Sequence, residues 1–171
     1  AFMIITIASP PLLNWVSATS SSLLCNSGTT ASISCLATGG SASITYTLNP
    51  GAINNTSGVF SGLAAGVYTI TASGSVGCTI STLVTIINPS ALSWNSITAS
   101  NPTCTMLSTG TIQLQAIGGT GSLQYILSPG GLMNTTGSFA GLSAGNYSIQ
   151  VSDANGCTLT TLISLINPSP V

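Results

Sequence analysis

The 171-residue chain contains no Lys, Arg or His and a single acid, Asp153, so charged residues make up 1% of it and hydrophobic residues 44%. Without basic side chains the protein cannot neutralise phosphates, which argues against nucleic acid and anionic membranes as partners. With no His and one carboxylate it cannot assemble an acid–base pair, a catalytic triad or a carboxylate-rich calcium site. We therefore expect a protein that is not an enzyme and that uses no metal or cofactor.

The composition also bears on how the chain behaves in water. A chain this apolar and this weakly charged does not have the signature of disorder. No apolar run approaches the roughly 20 residues that span a membrane, so we expect no membrane insertion. Its polar surface must consist of Ser, Thr, Asn and Gln, and a net charge near zero favours association between molecules. These features are typical of a protein that assembles.

The chain repeats itself at an offset of 79 residues, which aligns its two halves without a gap. The matched positions include most of the aromatic and cysteine residues: Trp15 with Trp94, Cys25 with Cys104, Tyr46 with Tyr125, Phe60 with Phe139, Tyr68 with Tyr147, and Cys78 with Cys157. Each repeat of this kind is a structural unit. We therefore predict an extra segment at 1–10, a first repeat at 11–90 and a second repeat at 91–171.

Residues 1–10 lack the basic region and the cleavage pattern of a signal peptide. At the same offset, Ile5–Ile7 fall on Val84–Ile86, so the segment is predicted to be another copy of the last strand of each repeat. An unpaired apolar strand invites aggregation and must find a partner. The residues predicted to form this inter-subunit strand are Phe2, Met3, Ile4, Ile5, Thr6 and Ile7. They are predicted either to pair with a sheet of another subunit or to complete a repeat that precedes them.

Trp15 and Trp94 each follow a proline-containing junction. Tryptophan at such a position packs between domains or, when it is exposed and planar, stacks against sugars. We expect domain packing and keep glycan binding as the alternative. An exposed tryptophan platform would favour the glycan hypothesis.

Apolar residues alternate with Ser and Thr along much of each repeat, which predicts short half-buried strands. In the first repeat these strands are predicted near 15–20, 30–37, 43–49, 58–61, 66–73 and 79–87. Gly39-Gly40-Ser41 and Gly118-Gly119-Thr120 predict turns. Neither is a phosphate-binding loop, because neither has a Lys or a following helix.

These motifs resemble a known family. Gly39-Gly40 followed by Tyr46, the run Gly62-Leu63-Ala64-Ala65-Gly66-Val67-Tyr68-Thr69, and the run Asp153-Ala154-Asn155-Gly156-Cys157-Thr158 are similar to the SprB-type repeats of Bacteroidota surface adhesins. The resemblance covers residues 20–89 and 99–168, and the first repeat departs from it at Gly74-Ser75-Val76. It implies two tandem immunoglobulin-like β-sandwiches from a long secreted surface protein. Tyr68 and Tyr147 lie near the start of a late strand, the place of a core or corner tyrosine.

The cysteines are consistent with this family and with an oxidising compartment. We expect one disulfide in each repeat, Cys25 with Cys78 and Cys104 with Cys157, each stabilising its domain by about 4 kcal/mol in the chain-entropy model. Cys35 aligns with Leu114 and is predicted to be a small buried residue, with an interchain bridge as the alternative.

The function predicted from the sequence is that of a non-catalytic, secreted module in an extracellular surface filament, acting as a structural or adhesive part. Its predicted partners are further copies of itself, joined head to tail, or neighbouring repeats of a longer chain. The alternative is a glycan-binding module of a cell-surface adhesin, with surface glycans as the partner.

Overall fold

The computed structural model describes Ser9 and residues 11–40, 43–104 and 107–168. The chain divides into two compact units. Unit 1 combines the chain up to Leu23 with Ser27–Asn88, and unit 2 combines Leu24–Asn26 with the chain from Pro89 onward. Every helix or strand element found in the described residues is a β-strand, which confirms the all-β prediction. It follows that this part of the chain offers no helix of the length and apolarity needed to cross a membrane.

The described part of unit 1 folds into seven antiparallel strands. They are β1 Asn14–Ser20, β2 Ala31–Thr38, β3 Ile44–Asn49, β4 Ile53–Asn55, β5 Val59–Leu63, β6 Gly66–Gly74 and β7 Thr79–Ile86. One sheet has the order β1-β2-β5 and the other the order β4-β3-β6-β7. Consecutive strands β6 and β7 form a long hairpin in which Gly66 faces Ile86 and Ser73 faces Thr79.

Unit 2 repeats this arrangement. Its strands are β8 Ser93–Ser100, β9 Gly110–Ile117, β10 Gln124–Ser128, β11 Leu132–Asn134, β12 Ser138–Leu142, β13 Gly145–Ser152 and β14 Thr158–Leu165. The sheets have the orders β12-β9-β8 and β11-β10-β13-β14. The repeat seen in the sequence is thus a repeat of strand order and sheet pairing.

Each unit has its own hydrophobic core between its two sheets. In unit 1 the core includes Ile33 of β2, Leu48 of β3 and Ile70 of β6, all with no exposed surface. Their counterparts in unit 2, among them Ile112 and Leu127, are equally buried. Along β2 buried side chains alternate with exposed or half-buried ones, because successive side chains of a strand point to opposite faces. The alternation in the sequence therefore places one face of each strand in the core.

A buried tyrosine compensates for a break in the pairing of each unit. The register of β1 against β2 shifts between Trp15 and Ser17, as at a β-bulge, and a bulge disturbs the hydrogen-bond ladder locally. In this region the backbone N–H of Ala37 donates to the Tyr46 hydroxyl at 2.9 Å. The same bond joins Ala116 to Tyr125 in unit 2. These tyrosines satisfy buried amides that the disturbed ladder does not.

A second tyrosine ties the start of each unit's longest hairpin to the preceding loop. The Tyr68 hydroxyl donates to the Ala64 carbonyl at 3.1 Å, and the Tyr147 hydroxyl donates to the Ser143 carbonyl at 2.9 Å. A tyrosine near the start of the sixth strand that bonds backbone a few residues upstream is the tyrosine corner of immunoglobulin-like sandwiches. With the three- and four-stranded sheets, it identifies the fold of the units as immunoglobulin-like.

Most strands lie where the alternation predicts them, but β4 and its counterpart β11 were missed. Each has three residues, too few for a period of two to stand out. In unit 1, β4 follows Ala52, whose φ is 49°. The strand ends at Asn55, whose side chain accepts from the N–H of Gly58 and donates to the carbonyl of Val59. The short strand therefore pairs with β3 and is followed by a turn that the Asn55 side chain holds, and no hydrophobic pattern marks it.

Candidate functional site

The candidate site is the turn between β13 and β14 in unit 2, together with the chain segments packed on it. The turn is closed by a hydrogen bond from the Asp153 N–H to the Cys157 carbonyl at 3.0 Å. Gly156 has a φ of 82° and donates its N–H to the Asp153 carbonyl at 3.1 Å. Glycine adopts this left-handed conformation without steric cost. The Asn-Gly-Cys sequence thus presents the Cys157 side chain at a fixed position on the turn.

The only charged side chain of the protein organises this turn. One carboxylate oxygen of Asp153 accepts from the N–H of Thr120 at 2.8 Å, and the other accepts from the N–H groups of Asn155 and Cys157 at 2.9 Å each. Burial raises the pKa of Asp153, but the hydrogen bonds from the Thr120, Cys157, Asn155 and Gly156 backbone outweigh it, so the pKa lies below its ordinary value. The carboxylate stabilises two turns and leaves no free acid for catalysis.

Cys157 forms a disulfide with Cys25, with a Cα–Cα separation of 5.6 Å. This corrects the predicted pairing of Cys25 with Cys78 and of Cys104 with Cys157. Cys78 and Cys104 are free and exposed. The prediction assumed that each bridge stays within one repeat, whereas the segment Leu24–Asn26 that carries Cys25 belongs to unit 2.

Hydrogen bonds hold the Leu24–Asn26 segment on both sides of the disulfide. The Asn155 side-chain amide donates to the Leu24 carbonyl at 2.9 Å, and the Asn26 side-chain amide donates to the Pro89 carbonyl at 2.8 Å. The segment lines an open cleft of about 440 Å³ with two others, Pro89–Leu92 and part of the β13–β14 turn. The disulfide and these hydrogen bonds therefore seat Cys25 against the turn and the Pro89–Leu92 segment.

Unit 1 has the same turn between β6 and β7, with two differences. Gly74 donates its N–H to the Cys78 carbonyl at 2.9 Å, and Gly77 donates to the Gly74 carbonyl at 3.0 Å, as in unit 2. Gly74 and Val76 stand where unit 2 has Asp153 and Asn155. This turn therefore lacks the carboxylate and the side-chain amide. Beside it lies a cleft of about 240 Å³ lined by Ser9, Pro11, Leu12, Leu13, Cys78, Thr79 and Ile80.

The tryptophans do not form an exposed platform. Trp15 and Trp94 are half-buried and pack against the core of their own units. The Trp15 ring lies 6.2 Å from that of Tyr46 at 33°, and the Trp94 ring lies 6.4 Å from that of Tyr125 at 35°. This geometry is typical of aromatic packing within a domain. Each tryptophan thus packs against the core of its own unit, whereas the sequence predicted packing between domains, with sugar stacking as the alternative.

Cys35 is buried, as predicted. It has 4% of its surface exposed, and its thiol donates to the Gly58 carbonyl at 3.0 Å. Burial raises the pKa of the Cys35 thiol. A buried thiol with a raised pKa is inert in disulfide exchange, which argues against the interchain alternative for this residue.

Two further predictions concern the inter-subunit strand and the metal ligands. The predicted inter-subunit strand, Phe2–Ile7, lies outside the described residues. Within the described ranges, no three Cys, His, Asp or Glu residues come together as metal ligands would.

Sequence reasoning also missed the roles of Asp153 and Asn155, although both belong to the Asp-Ala-Asn-Gly-Cys motif that it singled out.

Comparison with known proteins finds a family model that matches one segment of each repeat. Residues 17–53 and 96–132 match the family model described as SprB repeat. These two segments are therefore similar to the SprB repeat, as the sequence motifs predict. The two matched segments begin at equivalent positions and extend from β1 to β4 and from β8 to β11, so the disulfide-bearing turn lies outside the second match. No curated protein matches the chain.

Solved structures of cell-surface proteins are similar at low identity. A C-terminal 282-residue fragment of intimin, in complex with the intimin-binding domain of its translocated receptor, is 16% identical with a TM-score of 0.45. The N-terminal eight immunoglobulin domains of Down syndrome cell adhesion molecule are 14% identical with a TM-score of 0.42. The ectodomain of mouse nectin-like molecule 4 is 13% identical with a TM-score of 0.33.

Each match covers 94% of this chain. The chain spans 65% of the intimin fragment, 25% of the adhesion-molecule chain and 65% of the nectin-like chain. Because every TM-score is below 0.5, the fold assignment rests on strand order and the tyrosine corners.

Proposed function

We propose that the chain is a non-catalytic structural and adhesive module of an extracellular surface filament. The observation that carries the proposal is the tandem pair of SprB-type repeats at equivalent positions of the two units. Two further features support it. The Cys25–Cys157 bond is suited to an oxidising, extracellular compartment, and the nearly uncharged surface favours association over dispersal.

The chemistry of the site supports a role without catalysis. The chain has no His and one carboxylate, and that carboxylate accepts three backbone hydrogen bonds in the turns of unit 2. A general acid or base must reach the proton that it transfers, and Asp153 is occupied by its own backbone. The site therefore holds polypeptide in place.

The assembly we propose is a head-to-tail homopolymer in which residues 1–10 of one subunit add a strand to a sheet of the next. Strand addition gains main-chain hydrogen bonds and buries alternate side chains. The segment duplicates the last strand of each repeat in sequence, and those last strands, β7 and β14, are edge strands to which another strand could be added. A heterologous contact of this kind produces an open filament. The rival arrangement is a longer chain in which residues 1–10 complete a preceding repeat.

Deleting residues 1–10 separates these arrangements. We expect folded monomers without filaments, measured by negative-stain microscopy and size-exclusion chromatography in reducing buffer. A matched control carries the same ten residues in scrambled order, which keeps the composition and loses the strand pattern. Adding the synthetic ten-residue peptide to wild-type monomers should cap growth. Filaments that form equally well without residues 1–10 would contradict strand donation.

Glycan binding is the weaker hypothesis, because the half-buried tryptophans on which it depends pack against the cores of their own units. The proposed extracellular location and adhesive role do not require it. A glycan array probed with the folded chain tests it directly.

A further inference from the structure

The four cysteines other than Cys35 form two equivalent pairs of positions. At the offset of 79 residues, Cys104 is the counterpart of Cys25, and Cys78 is the counterpart of Cys157. The bond between Cys25 and Cys157 therefore joins the early cysteine of one repeat to the turn cysteine of the repeat that follows. By the same pattern, the free and exposed Cys104 is an early cysteine with no following repeat in this chain, and the free and exposed Cys78 is a turn cysteine with no preceding repeat.

The surroundings of Cys78 match those of the turn cysteine in the bonded pair. In unit 2, Cys157 and Thr158 line a cleft with Pro89–Leu92, and Leu24–Asn26 form a further wall of the same cleft. The equivalent positions in unit 1 line the smaller cleft of about 240 Å³ that includes Cys78 and Thr79. Both turns are closed by the same backbone hydrogen bond to the cysteine carbonyl. The cleft beside Cys78 thus has the form of a receptor for a segment like Leu24–Asn26.

Cys104 occupies the loop position in the second repeat that Cys25 occupies in the first. Cys104 is exposed, its carbonyl accepts from the N–H of Leu107 at 3.3 Å, and it follows Thr103 at the position equivalent to Leu24. Like Cys25, it lies between the first and second strands of its repeat, here β8 and β9. An exposed thiol on the loop that carries the seated cysteine in the other repeat is available to a second molecule.

We propose that Cys104 of one copy forms a disulfide with Cys78 of the next copy, seating the Thr103–Cys104 segment in the cleft beside Cys78. The occupant of that cleft is a second copy of this chain. The two cysteines lie at different sites of one molecule, so the contact between copies is heterologous. Such contacts repeat from copy to copy without closing a ring, which gives a covalent head-to-tail chain. This deepens the proposed homopolymer and rests on it for the order of the subunits, but it uses residues outside 1–10.

The bond forms by thiol–disulfide exchange with a small disulfide such as oxidised glutathione. The Cys104 thiolate attacks one glutathione sulfur, forms a mixed disulfide and releases one glutathione thiolate. The Cys78 thiolate of the next copy then attacks the Cys104 sulfur and releases the second glutathione. Two protein thiols are oxidised, one glutathione disulfide is reduced to two glutathione thiols, and the two thiol protons neutralise the two released thiolates.

The joint between copies differs from the Cys25–Cys157 site in one respect that can be measured. Asn155 holds the seated segment through the Leu24 carbonyl, but Val76 stands at its place beside Cys78. The joint therefore lacks that hydrogen bond and depends more on its covalent bond. We expect mild reductant to separate copies before it opens Cys25–Cys157.

The test uses the 171-residue chain and the variants Cys78→Ser and Cys104→Ser in a glutathione redox buffer. Wild-type chain should give a ladder of covalent oligomers on a non-reducing gel, and each variant alone should stay monomeric. An equal mixture of the two variants should give a covalent dimer and no larger species, because one partner offers Cys104 and the other Cys78. Mass mapping of that dimer should find the Cys104–Cys78 peptide.

Several results would overturn the proposal. A covalent dimer of either variant alone would show like-with-like bonding, and a wild-type monomer with Cys78 bonded to its own Cys104 would show an intrachain bridge. A mixture with no covalent dimer would also be decisive, provided both variants melt at the wild-type temperature, as substitutions at exposed sites should. Wild-type chain blocked with N-ethylmaleimide gives the same comparison without a substitution.

Microscopy under reducing conditions keeps this outcome separate from the proposed function. Filaments in reducing buffer, combined with no Cys104–Cys78 bond in the glutathione redox buffer, would remove the covalent joint and leave the filament module standing. Covalent dimers in the variant mixture that never extend to filaments in wild type would do the reverse.

Discussion

Removing the hydroxyl of Tyr125 tests how the fold compensates for its β-bulge. In Tyr125→Phe the buried N–H of Ala116 loses the oxygen that it contacts at 2.9 Å. Tyr125 has 4% and Ala116 7% of their surfaces exposed, so water does not replace the acceptor. A buried donor left without a partner costs about 1–3 kcal/mol. We expect unit 2 to lose that much unfolding free energy.

Tyr147→Phe is the matched control, because it removes the same atom from the same unit. The Tyr147 hydroxyl donates to a partly buried carbonyl of Ser143, which can bond to water when the hydroxyl is gone. Its loss should cost the net value of one hydrogen bond, about 0.5–1.5 kcal/mol. The repeat supplies a second copy of the experiment, with Tyr46→Phe against Tyr68→Phe in unit 1.

Amide hydrogen exchange measured residue by residue by NMR is the most direct assay. If exchange of Ala116 proceeds through opening of the unit, its rate should rise about 5- to 150-fold in Tyr125→Phe, the range that corresponds to 1–3 kcal/mol. Denaturant unfolding followed by tryptophan fluorescence gives the matching change in stability. Equal costs for Tyr125→Phe and Tyr147→Phe, or an unchanged Ala116 amide, would refute the reasoning.

Three further predictions follow from individual residues. Because the pKa of Asp153 is lowered in the folded state, its contribution to stability is complete above the ordinary value of about 3.9 and is lost as the pH falls through the lowered pKa. Unit 2 should therefore lose stability below about pH 4, and Asp153→Asn should abolish that dependence. The same dependence of stability on acidic pH in wild type and variant would contradict the prediction. Gly62→Ala should lower the free energy of unfolding by about 1–2 kcal/mol because of the φ of 72° alone. Gly58→Ala should lower it further, as measured by thermal unfolding, since its Cβ would also overlap the Cys35 carbonyl. Equal losses in the two variants would show that the overlap is relieved. Melting temperatures should change little between low and moderate salt near neutral pH, since one carboxylate leaves almost nothing to screen, and a steep salt dependence by calorimetry would indicate charged modifications.

Patterns in the sequence were enough to predict the repeat, the turns at Gly39 and Gly118, and the strands other than the short β4 and β11. The alternation around Ile33 and Ile70 follows directly from the two-residue period of a strand. Gly39 and Gly118, predicted as turn residues, have φ values of 93° and 84°. The core or corner role of Tyr68 was predicted from its place near the start of a late strand, and its hydrogen bond to backbone four residues away bears out the corner role. These features depend on neighbours within a few residues, which is why a linear pattern contains them.

The register shift and the role of Asp153 depend on which segments meet. The Ala37 N–H needs the Tyr46 hydroxyl because β1 and β2 shift register at Trp15, and no local pattern announces such a shift. Asp153 bonds the N–H of Thr120 in another turn. Sequence reasoning could name the acid and its motif but not the amides that surround it.

The disulfide pairing also depends on which distant segments meet, and sequence patterns do not contain that information. Four cysteines allow three connectivities, and sequence alone does not choose among them. Equal spacing in the two repeats favoured a bridge within each, but Cys25 and Cys157 are 132 residues apart and bond because Leu24–Asn26 pack in unit 2. The sequence determined that the cysteines come in equivalent positions. Which of them meet was decided by tertiary structure, because a disulfide requires Cα atoms about 4.4–6.8 Å apart and only folding brings distant segments that close.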